Sequence, residues 1–323
     1  MKSRPTIGAS AANRSPCVAH AERSLKKHLS PAHFLLAIAI VFIWGTNFVV
    51  IKEVLATLPP LFFATLRFAL AFVPAAFFLR RPRVPLWHLA AYGILIGVGQ
   101  FGTIYLAMNG YISPGLTSLV VQTQVFFTIG LAMYFSGERI KLFQVFALIL
   151  AAAGLYVIFT HTDGTTTPTG LAMILFAALS WAVANIINRH SAKIDASLNM
   201  LSYVVWSSIF AVPILLVLSL ITEGQAAIEA GLAHMTLSTW IGVVWQTAAN
   251  TMFGYAAWGW LLARYPAATI TPMALLVPVF GMGASAIYLS EPLPAWKIAA
   301  AGLILAGLAL NILWPMLRAK IVT

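Results

Sequence analysis

Ten stretches of mostly apolar residues, each long enough to cross a membrane, are separated by short polar segments in this chain of 323 residues. About 20 residues in a helix span the hydrocarbon core of a bilayer. Sixty-one per cent of the residues are hydrophobic and only 8% are charged, against roughly 25% charged residues in soluble domains. Lipid offers no hydrogen bonds to the backbone, and no alternation over about ten residues suggests a β-barrel. We therefore predict an all-α membrane protein with ten transmembrane helices.

The predicted helices divide the chain into four parts. Residues 1–33 contain Ser, Ala, Pro and basic residues without a sustained apolar run. We expect them to form a disordered basic tail without a cleavable signal, with an organelle transit peptide as the alternative. Residues 34–160 and 169–315 hold five helices each, and residues 316–323 form a short cytoplasmic C-terminus. The ten helices are predicted at 34–51, 61–79, 86–108, 114–135, 142–160, 169–188, 198–220, 239–262, 267–289 and 295–315.

The basic residues fall mainly on one side of these helices. The formal net charge is +11, and with the amino terminus inside, 16 of the 19 Lys and Arg residues lie on the cytoplasmic side. Only Lys52 and Lys297 flank helices on the other side, where five of the eight acidic residues lie. This asymmetry is the positive-inside pattern of membrane proteins and predicts two cytoplasmic termini. It also accounts for the basic charge without a nucleic-acid partner.

The second half of the chain repeats the first. A shift of 153 lays residues 101–159 onto 254–312 without a gap, and a shift of 139 lays Val73-Pro74 onto Val212-Pro213. Five helices per repeat is an odd number, so the second copy would enter the membrane in the opposite sense. Two inverted five-helix repeats are typical of secondary transporters, which expose a central site to each side in turn. Pairs that coincide under the first shift are Glu138 with Glu291, Gly154 with Gly307, and Tyr105 with Trp258.

Polar and aromatic side chains interrupt the apolar helices at helical spacing. An amide that faces hydrocarbon without a partner costs about 4 to 8 kcal/mol on alkane-type scales, so we expect these side chains to face protein or water. For each of them, a hydrogen bond between helices remains as plausible as contact with a substrate. They are Trp44 and Asn47 in helix 1, Gln124 in helix 4, Trp181 and Asn185 in helix 6, and Gln246 and Asn250 in helix 8.

Arg67 is the only charged residue well within a predicted helix. Insertion scales place the cost of an arginine at a helix centre at about 2.5 to 3.5 kcal/mol. Beside a hydrated cavity, its guanidinium would hold a carboxylate or phosphate through paired hydrogen bonds. The alternative is that Arg67 extends to the outer interface or bonds to backbone carbonyls.

Acids, histidines and catalytic motifs are missing from the middle of the predicted helices. Glu138 and Glu291 lie at repeat-related boundaries on opposite sides, where we expect caps or gate pairs rather than proton carriers. This pattern favours facilitated release or exchange, and the alternative is proton coupling through a less obvious group. We expect no cofactor and no metal, since no HExxH, GxSxG or Walker-type sequence occurs. The single cysteine excludes an intramolecular disulfide framework.

Four segments resemble the EamA-type exporters of the drug/metabolite transporter superfamily: WGTNFVVIK at 44–52, LRF at 66–68, GERI at 137–140 and AAGLILAGLALNI at 300–312. Longer segments at 58–68, 113–129 and 254–281 resemble the bacterial exporters of O-acetylserine and cysteine within that family. The resemblance implies ten helices in two inverted repeats, a bacterial inner-membrane location and export of small amino-acid metabolites. Two features depart from it, namely the long basic tail and SEPL at 290–293 in place of a second GERI.

These observations combine into a hypothesis for a bound amino acid. Arg67 would hold its carboxylate, and Asn47, Asn185 and Gln124 would offer neutral hydrogen bonds. Aromatic rings would shield its ammonium by cation–π contact. Alternatives are an exporter of threonine, aromatic amino acids or other small metabolites or drugs, and from a different class an intramembrane enzyme or receptor. The sequence leaves a monomer and a homodimer open. The candidate rings are Trp44, Tyr105, Trp181, Tyr255 and Trp258.

Overall fold

The computed structural model describes residues 29–136, 141–161, 165–195, 197–265 and 267–321. Within these residues the chain is helical and holds no β-strand, as the composition predicts. The predicted gate residue Glu138 lies outside them, as does most of the predicted basic tail. The helices are α1 Pro31–Leu55, α2 Pro60–Ala76, α3 Leu86–Met108, α4 Pro114–Tyr134, α5 Leu142–Thr160, α6 Pro168–Ile194, α7 Met200–Thr222, α8 Gln225–Ala233, α9 Leu237–Arg264, α10 Thr271–Tyr288 and α11 Ala295–Ile321.

Eight helices of the described chain are long and apolar enough to cross a membrane. A ninth is added if α8 and α9, which meet at a bend of 110°, count as one span. Helix α2 is apolar but has only 17 residues. Helix α9 is long but carries buried polar residues in its middle, among them Gln246, Asn250 and Thr251. Each of the ten predicted stretches coincides with a helix, and the count of ten membrane crossings stays a prediction.

Proline begins four of the helices, namely α1, α2, α4 and α6. Proline suits the first helical position because its missing N–H would have no partner there. Ser30 also caps α1, where its side chain accepts from the backbone N–H of His33, and Thr167 caps α6 in the same way through Gly170. Helix α2 lacks such a side-chain cap of its own, because Pro59 precedes it.

Irregular turns interrupt the helices at corresponding positions of the two proposed repeats. A π-helical segment occupies Leu95–Gly102 in α3, and another occupies Gln246–Phe253 in α9. Short 3-10 segments lie at Val121–Thr123 in α4 and Thr271–Leu275 in α10. The shift of 153 carries each segment of the first half onto or next to its counterpart. Because π turns are rare and often lie at functional sites, α3 and α9 are the helices that favour a functional site.

Repeat-related glycines set the contact between α5 and α11. A Cβ added at Gly154 would lie 2.6 Å from Ile304 Cγ1, and one added at Gly307 would lie 2.5 Å from the carbonyl oxygen of Ala147. Neither position has room for a side chain, so the two backbones approach closely, as small residues allow between membrane helices. The coincidence of Gly154 and Gly307 in the sequence repeat therefore has a packing cause.

One end of the bundle, the acidic end, carries four of the five acidic residues in the described part of the chain. Lys52 Nζ donates to the carbonyl of Met108 at 3.3 Å, which brings the ends of α1 and α3 together there. Glu223 and Glu291 contact the beginnings of α2 and α4 at this same end. Glu53 and Glu229, which are exposed, complete the acidic end.

The opposite end, the basic end, carries exposed cations. Asp195 is an acid at this end, where Ser197 Oγ and Ser197 N donate to it at 2.6 Å and 3.0 Å. These hydrogen bonds, together with nearby Arg83, hold the pKa of the Asp195 carboxyl below its ordinary value. The charge asymmetry predicted from sequence thus appears as two ends of opposite sign. The exposed cations are Arg80, Arg81, Arg83, Lys141, Arg189, Lys193 and Arg264.

Replacement of Gly307 by alanine should destabilise the bundle, because the new methyl group would force α5 and α11 apart. We expect a loss of about 1–3 kcal/mol in the free energy of unfolding. Gly302 lies on the same helix, and a Cβ there meets open space. Gly302→Ala should therefore leave the thermal unfolding midpoint unchanged or raise it. Equal midpoints for Gly307→Ala and Gly302→Ala would contradict the packing cause.

Candidate functional site

Arg67 lies in the interior of the bundle and is 1% exposed. Its Nη1 donates to Tyr105 Oη at 2.8 Å and to Gln246 Oε1 at 3.1 Å. Its Nη2 donates to Thr251 Oγ1 at 2.9 Å. One guanidinium thus joins α2 to the two helices that contain π segments, α3 and α9. It bonds to side chains of these helices and does not extend to the surface.

The charge of Arg67 is buried among neutral groups. The ring of Phe101 lies 3.7 Å from the guanidinium carbon and favours the cation through its π face. The one ion pair within the described chain is far along the sequence, between Lys297 and Glu291. A buried cation is ordinarily paired with an anion, because desolvation is otherwise uncompensated. The site therefore lacks one negative charge.

The guanidinium of Arg67 also has more N–H donors than hydrogen-bond partners. An arginine has five N–H groups, and the three hydrogen bonds to Tyr105, Gln246 and Thr251 occupy three of them. Nε is buried and has no partner. The remaining donors are therefore the N–H of Nε and one N–H of Nη2, on two nitrogens that can face one carboxylate.

Gln246 organises the groups around Arg67. Its Oε1 accepts from Arg67 and, at 3.3 Å, from Tyr105 Oη, while its Nε2 faces the backbone carbonyl of Asn47 at 3.5 Å. Thr251 Oγ1 donates to the carbonyl of Gln246 at 2.9 Å and so occupies a carbonyl within the π segment. Asn47 itself is 3% exposed, and its Oδ1 is buried without a partner.

Three of the predicted aromatic residues meet on one side of this centre. The ring centroid of Trp44 lies 5.2 Å from that of Trp258 and 6.1 Å from that of Tyr255. Trp44 Nε1 donates to the carbonyl of Asn250 at 3.1 Å, which holds the indole against α9. This approach requires glycine at position 254, because a Cβ there would overlap the indole nitrogen.

The predicted amides of α4 and α6 form a separate cluster. Asn185 Nδ2 donates to Gln124 Oε1 at 3.1 Å and lies 3.4 Å from Thr128 Oγ1, which in turn donates to Gln124 Oε1. Trp181 is half-buried and packs against the apolar core. The structure therefore brings Arg67, Tyr105 and Asn47 together around Gln246, and Gln124 with Asn185 elsewhere.

Glu291 binds the beginning of α4. It accepts from Ser113 Oγ at 2.5 Å and from the backbone N–H of Gly115 at 3.0 Å. Lys297 Nζ lies 2.9 Å from Glu291 Oε1, and the two side chains are only 2% and 7% exposed. Exposed N–H groups at a helix start favour a negative charge, so this carboxylate stabilises α4 from the loop between α10 and α11.

Glu223 binds the beginning of α2 in a similar way, and sequence reasoning did not identify it. It accepts from the backbone N–H groups of Leu61 and Phe62 at 2.6 Å and 3.1 Å, and from Ser219 Oγ at 2.6 Å. The available signal was the absence of a capping side chain before Pro60, which leaves these N–H groups in need of a partner. Together, Glu223 and Glu291 tie α2 and α4 to the second half of the chain.

Other functional candidates were also missed. Thr251, Phe101 and Lys297 gave no signal, since threonine, phenylalanine and a lysine next to a membrane span are common in such sequences. Within the described part of the chain, no group of three or more His, Cys, Asp or Glu residues is placed to hold a metal ion.

Comparison with known proteins identifies the family of this chain. The family model described as the EamA-like transporter family matches residues 32–160 and, separately, residues 168–313. The chain belongs to the EamA-like transporter family. Membership indicates a transporter rather than an enzyme.

Curated relatives and a solved structure are also similar over most of the chain. A "probable amino-acid metabolite efflux pump" of Salmonella typhimurium strain LT2 is 38% identical over 279 residues, 86% of this chain and 93% of the relative. A protein of Escherichia coli K12 with the same description is 38% identical over 280 residues, 86% and 94% of the two chains. A crystal structure at 16% identity covers 88% of this chain and 98% of its own with a TM-score of 0.60, which indicates a similar fold.

Removal of Lys297 should leave Glu291 buried without its cation. We expect Lys297→Met to lower the free energy of unfolding by about 3–5 kcal/mol, and the double variant Lys297→Met/Glu291→Gln to recover most of it. Unfolding of purified protein by denaturant would measure both values. Lys141→Met, at an exposed lysine, is the matched control. A double variant as unstable as the single one would contradict the pairing.

Proposed function

We propose that the protein exports small amino-acid metabolites, of the O-acetylserine and cysteine type, across the inner membrane of a bacterial cell. The observation that carries this proposal is the buried cation of Arg67, which has neutral partners and an unpaired Nε. A substrate carboxylate would supply the missing negative charge and accept the free donors. The two relatives described as probable amino-acid metabolite efflux pumps support the same substrate class.

Ten membrane helices in two inverted repeats are part of the proposal. The two separate matches to one family model, at 32–160 and 168–313, support a duplicated unit of five helices. The paired π segments of α3 and α9 and the paired 3-10 segments of α4 and α10 support it from geometry. In transporters with such repeats, interrupted helices lie beside the substrate. Arg67 contacts both π-containing helices, which supports a substrate site between the two proposed repeats.

We place the basic end in the cytoplasm, because positively charged loops remain inside. The acidic end then faces outward. There Glu223 holds the start of α2 and Glu291 holds the start of α4, each through backbone N–H groups. We define these two carboxylates with Lys297 as the outer latch. With the latch formed, the bundle is closed to the outside, and export requires its release.

Alternative substrates follow from the same chemistry. A guanidinium also binds phosphate, so other small anionic metabolites remain second candidates, as do threonine and aromatic amino acids. Efflux of a hydrophobic cation is disfavoured, because the centre already holds a positive charge. The described helices carry no acid near Arg67, which favours facilitated release or exchange over proton coupling.

Neutralisation of Arg67 should weaken substrate binding. We expect Arg67→Gln to raise the KM for cysteine or O-acetylserine roughly tenfold or more, the value of a charged hydrogen bond. The KM of Arg67→Lys should be intermediate, because lysine keeps the positive charge but cannot form the paired hydrogen bonds of a guanidinium. Labelled solute entering inverted membrane vesicles measures this. Arg80→Gln, at an exposed arginine of the basic end, should transport normally. An unchanged KM in Arg67→Gln would contradict the proposal.

Weakening the outer latch should open the acidic end. Ser118 is fully buried beside Gly281, below the Glu291 contact, and a cysteine there would report access in a Cys17→Ser background. We expect Glu291→Gln to increase labelling of this cysteine by an impermeant thiol reagent added outside, because a neutral amide holds the start of α4 less strongly. Glu223→Gln should act in the same direction.

The matched control for the latch is Glu229→Gln. Glu229 is an exposed acid of the same end, and its carboxylate accepts from Gln225 within α8. Labelling should stay at the level of the unaltered protein in this variant. Labelling that is equally slow in Glu291→Gln, Glu223→Gln and Glu229→Gln would contradict the latch.

A further inference from the structure

We infer that Asn47 is a specificity residue that accepts the ammonium group of an α-amino acid whose carboxylate binds Arg67. This inference rests on the proposed function and deepens it, because it assigns the two ends of the substrate. With this role, Asn47 would let the protein distinguish α-amino acids from simple carboxylates of the same size.

Two unpaired buried atoms carry the inference. Arg67 Nε is a charged donor without an acceptor, and Asn47 Oδ1 is an acceptor without a donor. Both residues are at most 3% exposed, so bulk water does not satisfy them. A buried polar atom without a partner costs free energy, and native proteins retain few of them. An amino-acid zwitterion presents one acceptor group and one donor group, which is the complement of this pair.

The two residues are neighbours through Gln246. One end of its side-chain amide accepts from Arg67 Nη1, and the other end faces the backbone carbonyl of Asn47. A single carboxamide therefore lies between the Arg67 guanidinium and the backbone of Asn47. An α-amino acid is similarly short between its carboxylate and ammonium, and a hydrogen bond of about 2.9 Å at each end adds to its reach. In the proposed complex, a ligand of that length contacts both residues.

A neutral acceptor suits the ammonium better than an acid would here. A carboxylate at position 47 would pair with Arg67, fill its free donors and exclude the substrate carboxylate. An amide oxygen accepts from an ammonium without competing for the guanidinium. The zwitterion itself adds no net charge, and its carboxylate supplies the anion that Arg67 lacks.

The ring of Trp44 completes the ammonium side. Trp44 and Asn47 are three residues apart in α1, so they share a face of that helix. The indole N–H of Trp44 is already bonded to the carbonyl of Asn250, which fixes this ring beside those of Trp258 and Tyr255. An ammonium next to Asn47 Oδ1 would gain a cation–π contact from this ring. The sequence predicted that Trp44 shields the ammonium. A hydrogen bond to Asn47 Oδ1 would also orient this ammonium.

Three thiols that differ by one group test the assignment. Cysteine carries both charges, 3-mercaptopropionate lacks the ammonium, and cysteamine lacks the carboxylate. Their affinities for purified protein follow from the ligand-induced shift of the thermal unfolding midpoint, measured under reducing conditions. Asn47→Ala should weaken cysteine and cysteamine about tenfold and leave 3-mercaptopropionate unchanged. Arg67→Gln should weaken cysteine and 3-mercaptopropionate but not cysteamine, because it removes the carboxylate's partner and also a positive charge near the ammonium.

Two further variants sharpen the test. Asn47→Asp should weaken cysteine and 3-mercaptopropionate, because the new carboxylate occupies Arg67, and it should strengthen cysteamine. Thr46→Ala is the matched control on α1, since the Thr46 hydroxyl donates to the carbonyl of Phe42 in its own helix. This control should bind all three thiols as the unaltered protein does.

The outcomes separate the inference from the proposed function. If Arg67→Gln discriminates the thiols as expected and Asn47→Ala weakens all three equally or none, the inference is overturned and the proposed function stands. If Arg67→Gln fails to separate cysteamine from the other two, the proposed function is overturned. An unaltered protein that binds none of the three thiols overturns both.

Discussion

The centre of this structure depends on one guanidinium that is buried among neutral partners. Arginine in the middle of a membrane helix costs about 2.5 to 3.5 kcal/mol on insertion scales, and packing alone would favour leucine there. The chain offsets part of this cost with three neutral acceptors and the face of Phe101. It leaves Nε without a partner. A charge that is supported but not neutralised is suited to a ligand that arrives and leaves, because a resident carboxylate would compete with it.

The π segment of α9 contributes to the support of the same guanidinium. In a regular helix each backbone carbonyl accepts from the residue four positions later, and a π turn moves that bond by one residue and turns the side chains. In α9 this segment contains both Gln246 and Thr251, which contact Arg67 from the same helix. Thr251 also bonds to the carbonyl of Gln246, so the irregular backbone and the acceptors for the guanidinium are stabilised together.

Sequence reasoning found the elements with strong periodic signals and missed those that depend on contact between distant segments. Apolar length predicted the helices, and the rarity of a charge within a span singled out Arg67. Glu223 was missed because its role is defined by α2, more than 160 positions away in the chain. The π segments were missed because no local residue pattern specifies them. The coincidence of Gly154 and Gly307 was visible as a repeat, but the contact of α5 with α11 that explains it was not.

The proposed substrate site and the outer latch share a helix. Helix α2 begins where Glu223 holds the N–H groups of Leu61 and Phe62, and it carries Arg67 about two turns later. A rigid helix of that length transmits a displacement of its start to the guanidinium with little loss. Release of Glu223 would therefore move Arg67 relative to Gln246 on α9, and a change in the charge around Arg67 would act on the latch in return. Reciprocity of this kind is required of any pair of coupled sites, and α2 is the element that would connect the two proposed sites.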